Sequence, residues 1–158
     1  MRTLILFIAL LASFSARAED DPRSYIGVSA GASDQLGVCA ENHTPNSRTH
    51  CTGMLLRVFG GHNFNEHFGL EGAAVAAGTE GGFMELAAVG IAPVTEHFAF
   101  YGRVGAAFTD RASSGRALAL AAGVRFHLGE NFGLRFEWQR YSGDDSLELL
   151  SAGVFVRF

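Results

Sequence analysis

Seven charged residues stand where chemistry between them is conceivable: Arg57, Glu71, Glu85, Arg103, Arg125, Arg135 and Glu137. They lie far apart in the chain, but most sit in runs where apolar residues hold one parity and Gly, Ala and charge hold the other. Around Arg103, Phe98, Phe100, Val104 and Phe108 fall on one parity, and Ala99, Tyr101, Arg103 and Ala107 on the other. Residues two apart share a face of a pleated strand, so such a run has one apolar face and one face with a few long charged chains. Gathered on the inner side of a closed sheet, charges of both signs have two uses. They can interlock as ion pairs, or they can line a gated polar path for ions. Eight strands enclose a space about wide enough to be filled by side chains, which favours the interlocked plug.

Nucleophilic and metal chemistry find less support. Ser142, in RYSG at Arg140–Gly143, has acids nearby in Asp144, Asp145 and Glu148 but no adjacent His. Without a base within reach the logic of an activated nucleophile fails, so no catalytic residue is assigned. His43 and His50 share a segment with Cys39 and Cys51, yet the four-ligand spacing of a structural zinc site is missing. His67 and His97 occupy equivalent places in a repeat, and His62 and His127 fall near predicted strand ends. Interfacial placement explains all four, and neither a metal nor a cofactor is expected.

The repeat reveals the elements that must position these side chains. NEHF at Asn65–Phe68, TEHF at Thr95–Phe98 and GENF at Gly129–Phe132 follow one another at intervals of 30 and 34 residues. Each reads as a tight polar turn between apolar neighbours, with one outgoing strand, one loop and one returning strand separating it from the next. Three such turns, with a strand before the first hairpin and another after the last, predict eight strands. They are expected near Ser24–Ala32, Gly53–Phe64, Phe68–Ala77, Phe83–Val94, Phe98–Phe108, Ala117–Leu128, Phe132–Tyr141 and Leu147–Phe158. The fourth is nearly continuously apolar at LAAVGIAPV, so its two faces cannot be told apart, and Pro93 stands at its end, where a missing donor does least harm. The fold class is all-β: an eight-stranded, antiparallel, up-and-down barrel with both termini at the turn end.

Such alternation suits a soluble barrel with its apolar face inside or a membrane barrel with its apolar face in lipid. The sparse Arg and Glu amid Gly and Ala favour a narrow interior over a solvated surface, and hence the membrane arrangement. The N-terminus agrees. Arg2, the apolar run Leu4–Ala12 and Ala16-Arg17-Ala18 form a secretory signal peptide over residues 1–18, leaving 19–158 as one barrel domain. Beyond it no apolar run approaches the roughly 18 residues a membrane helix needs. All 12 basic residues are Arg against 16 acids, so the basic footprint of a nucleic-acid binder is missing. In an exported chain the two cysteines, Cys39 and Cys51, read as a disulfide within the long outer loop Ser33–Thr52. The other outer loops, Gly78–Gly82, Thr109–Arg116 and Ser142–Ser146, are short.

FGGHNFNEHFGLEG at Phe59–Gly72, IAPVTEHFAFYGRVG at Ile91–Gly105, and the closing FEWQRY and LLSAGVFVRF resemble the OmpA-like eight-stranded outer-membrane β-barrel proteins. The resemblance covers essentially the whole chain after the signal, and no peptidoglycan-binding domain follows, so it implies the stand-alone barrel. It implies an integral place in the bacterial outer membrane, with membrane lipids and lipopolysaccharide as surroundings. It also implies a C-terminal assembly signal in Val154, Val156 and Phe158, read by the outer-membrane assembly machinery. The expected function is a monomeric, non-enzymatic, mainly structural barrel, with a small or transient pore left open. The alternative is a surface adhesin or ligand-binding protein acting through the Cys-closed loop. A lipid-A-modifying hydrolase, an activity that some barrels of this size carry, lacks the His it would need beside Ser142.

Overall fold

The computed structural model describes residues 23–33, 53–77, 81–108, 116–143 and 146–158. The signal peptide, Cys39, Cys51 and most of the loops named above lie outside the described residues. Eight strands follow in order: β1 Ser24–Ser33, β2 Gly53–Asn63, β3 Phe68–Ala77, β4 Gly81–Pro93, β5 Phe98–Phe108, β6 Arg116–His127, β7 Phe132–Ser142 and β8 Leu147–Arg157. Each pairs antiparallel with its sequence neighbour, and β8 returns to pair with β1. The ladder therefore closes without an edge, satisfying backbone groups that hydrocarbon would leave stranded. β4 begins two residues before the expected Phe83, because Gly81 and Gly82 continue the ladder opposite Ala77 and Ala76 although glycine carries little strand signal.

The repeated turns share one closure. Phe64 N donates to Phe68 O at 2.9 Å, Val94 N to Phe98 O at 3.0 Å, and Leu128 N to Phe132 O at 2.9 Å. Their first residues differ in how they hold the bend. The Asn65 side chain accepts from the His67 and Phe68 amides at 2.8 Å each, and Thr95 Oγ1 accepts from the His97 amide at 3.3 Å. Gly129 instead adopts φ of +149°, which other residues rarely reach. The third turn residue then adds a rung to the following pair: the carbonyls of His67, His97 and Asn131 accept from Ile91, His127 and Arg157.

Parity separates the faces along all eight strands, β4 included. Leu86, Ala88 and Gly90 of β4 point outward, while Glu85, Ala87 and Val89 are buried inside. The outer wall is a continuous apolar surface carrying Leu56, Val58, Leu70, Leu86, Phe100, Val104, Leu120, Phe136, Trp138 and Leu150, all exposed. An apolar band around a closed barrel is what hydrocarbon demands and water would not tolerate.

The interior is layered. At the loop end an apolar cluster of Leu55, Val75, Ala107, Ala119, Tyr141 and Leu149 fills the lumen, with Phe83, Ala117 and Leu147 packed against it. The charged residues occupy the middle. Toward the turn end Tyr25, Phe59, Ala73 and Phe155 form a second cluster. Its rings fit because glycines face them across the ladder: Tyr25 pairs with Gly61, Phe59 with Gly27, and Phe155 with Gly133. A Cβ on any of these glycines would collide with the ring opposite.

Candidate functional site: the buried charge network

β2, β3, β4, β5, β6 and β7 each contribute charge to the middle layer, and all seven expected residues meet there, each no more than 4% exposed. Glu71 is the hub. Its carboxylate accepts from Arg57 Nη2 at 2.6 Å, Arg135 Nη1 at 2.9 Å and Tyr25 Oη at 2.8 Å. Arg103 Nη1 and Arg125 Nη2 lie 3.3 and 3.5 Å from it. Glu137 is the second hub, accepting from Arg103 Nε and Nη2 at 2.9 Å each and from Tyr101 Oη at 2.7 Å. Arg135 and Gln139 also donate to it. Glu85 accepts from Arg103, and from Tyr141 Oη at 2.9 Å.

Aromatic faces complete the cage. The Arg135 guanidinium lies 4.1 Å from the Phe59 ring centroid and 5.0 Å from that of Tyr101. Arg125 lies 4.8 Å from Tyr25 and 4.5 Å from Tyr101. Burying charge costs several kcal/mol per ion unless partners and hydrogen bonds replace the lost water, and these contacts are that replacement. The arrangement can hold six strands in one register, and it leaves little of the middle layer to water.

Tyr25, Tyr101, Tyr141 and Gln139 belong to this network as fully as the charges do, although sequence reasoning did not single them out. Parity places each on the inner face, but it does not set them apart from ordinary wall residues. Val154, Val156 and Phe158 face outward near the turn end. Ser142 ends β7 at the loop end, whereas the described histidines, His62, His67, His97 and His127, all lie at the turn end. Glu148 sits 3.5 Å from Arg140 on the outer wall. Among the described residues no three His, Cys, Asp or Glu side chains converge as metal ligands would.

The chain matches the family model described as outer membrane protein beta-barrel domain over residues 3–158. No curated protein sequence matches it. The N-terminal β-barrel domain of Pseudomonas aeruginosa OprF is similar, with a TM-score of 0.62 at 15% identity, covering 86% of this chain and 98% of that one. Yersinia pestis Ail, the attachment invasion locus protein, solved in complex with the heparin analogue sucrose octasulfate, has a TM-score of 0.58 at 18% identity, covering 87% and 99%. Neisserial surface protein A has a TM-score of 0.56 at 17% identity, covering 85% and 97%. At such identities the likeness of these structures speaks to fold alone.

Proposed function

We propose that this chain, which belongs to the outer membrane protein β-barrel family, works as a sealed structural barrel that supports membrane integrity. Family membership makes it an integral outer-membrane protein, and short turns at one end with longer loops at the other favour a periplasmic turn end. One observation carries the structural reading: the lumen is closed at mid-height by an interlocked charge network, with an apolar cluster above it. For a pore to open, the network would have to exchange partners and the apolar cluster would have to part. An enzymatic role gains no support from Ser142, whose described surroundings supply no histidine base. The apolar outer wall suits lipid and lipopolysaccharide as its surroundings. Val154, Val156 and Phe158, facing outward on the closing strand, suit contact with the assembly machinery during insertion.

The test removes the gene from its host and measures entry of a large, normally excluded antibiotic. Loss of the chain is expected to raise entry. A version in which residues 34–52 are replaced by a short Gly-Ser linker is expected to restore the barrier fully. If deletion leaves permeability unchanged, the integrity role fails; if only the intact segment restores the barrier, the surface-binding reading takes its place.

A further inference from the structure

The network is not neutral. Four arginines, Arg57, Arg103, Arg125 and Arg135, meet three glutamates, Glu71, Glu85 and Glu137. The surplus can be located. Arg57 reaches Glu71, Glu85 and Glu137 at 2.6, 3.7 and 3.4 Å. Arg103 lies against the same three glutamates, and Arg135 against two. Arg125 has one carboxylate, Glu71, at the longest distance Glu71 makes to any arginine, 3.5 Å. Its Nη2 also donates to Tyr25 Oη at 3.1 Å. Its Nε and Nη1 have no protein acceptor among the described residues and are not sealed from open space.

That open space is a periplasm-facing vestibule of about 480 Å³ beneath the network, with Arg125 in its lining. Arg23 and Arg157 also line it, as do Glu66 and Glu96 from the turns, so among the described lining residues the other formal charges balance and Arg125 leaves an excess of one positive charge. His127, beside it in the wall, adds no negative charge. Tyr25 and Tyr101 lie against the guanidinium and hold its orientation before any ligand arrives. A guanidinium that is 4% exposed, fixed by rings, short of carboxylates and left with unpartnered N–H groups is a built anion receptor.

We infer that the periplasmic vestibule binds a small oxyanion, a carboxylate or phosphate group, on an unpartnered N–H of Arg125. The site does not depend on whether the lumen conducts, since the ligand enters and leaves from the periplasmic side. Nε and Nη1 belong to different edges of the guanidinium, so each offers a single charge-assisted hydrogen bond to a carboxylate or phosphate oxygen, and a phosphate brings more charge to the same place. The vestibule volume leaves room for a molecule that carries such a group.

The experiment titrates the isotope-labelled, folded barrel in detergent with acetate, with inorganic phosphate and with chloride at matched ionic strength, and follows the Arg125 Nε–H resonance. That resonance is assigned by its disappearance in Arg125→Gln. Saturable shifts are expected with acetate or phosphate and not with chloride, and the tighter of the two identifies the group. Arg125→Gln, checked for folding by its heat-modifiable gel band, is expected to bind neither, as read by ligand-detected NMR. A Glu66→Gln/Glu96→Gln double variant, which leaves Arg125 in place, is expected to bind roughly threefold tighter because two screened rim charges are removed. No saturation in the unaltered protein overturns the inference. Equal binding by Arg125→Gln overturns it too. Should Arg125→Gln fail to fold, the double variant decides: tighter binding sustains the site and unchanged binding removes it.

Discussion

Glu71→Gln is the perturbation that loads the network most heavily. The carboxylate is 1% exposed and has four arginines within 3.5 Å, together with the Tyr25 hydroxyl. Glutamine keeps the shape but turns an NH2 toward guanidinium donors and removes one of the three buried negative charges among the described residues. Breaking a buried pair by removing one partner costs about 3–5 kcal/mol, because the surviving charge stays buried. Arg125 is left with no carboxylate among its described ion pairs, so Arg125→Gln in the same chain should return part of that loss, with a coupling of about 0.5–3 kcal/mol. The assay is urea unfolding of the barrel in lipid vesicles. Emission from the only tryptophan, Trp138, which faces outward, reports its departure from lipid. Unfolding midpoints at constant slope convert to stability differences. A Glu71→Gln cost below about 1 kcal/mol, or a double variant whose losses simply add, would refute the reasoning.

Val104→Arg places a charge on the outer wall near the middle of β5, where Val104 is 52% exposed between Ala88 and Leu120, and should cost roughly 2–4 kcal/mol in the same vesicle assay. An unchanged midpoint would mean that this face does not meet hydrocarbon. Gly133→Val puts a branched side chain against the Phe155 ring and the Phe126 carbonyl, and should cost about 1–3 kcal/mol through overpacking. Pairing it with Phe155→Ala should relieve the collision, and a double variant worse than either single one would count against the proposed fit.

The strands were legible because lipid outside and a narrow interior impose opposite demands on alternate residues. Turn positions were legible because the same closure recurs in NEHF, TEHF and GENF. β4 resisted for a physical reason: its inner face carries Ala87 and Val89 as well as Glu85, so both faces look apolar. The loop-end cluster was hidden for the same reason. Leu55, Val75 and Leu149 occupy the inner parity, and in one dimension a leucine filling a lumen looks like a leucine facing lipid. The seven charges could be grouped by parity, but their partners could not. Which arginine reaches which glutamate depends on stagger between strands, and the surplus on Arg125 emerges only from those distances. The roles of Tyr101 and Gln139 were equally obscured, since neutral hydrogen-bonding groups on the inner parity resemble ordinary wall residues.

The most direct measurement is single-channel recording of the purified, refolded barrel in a planar lipid bilayer, with insertion confirmed by the heat-modifiable gel band. A lumen closed by the charge network and by the apolar cluster around Leu55 and Leu149 should stay electrically silent across the usual voltage range. Steady, reproducible openings by the unaltered protein would contradict the sealed-barrel reading and make the network a gate.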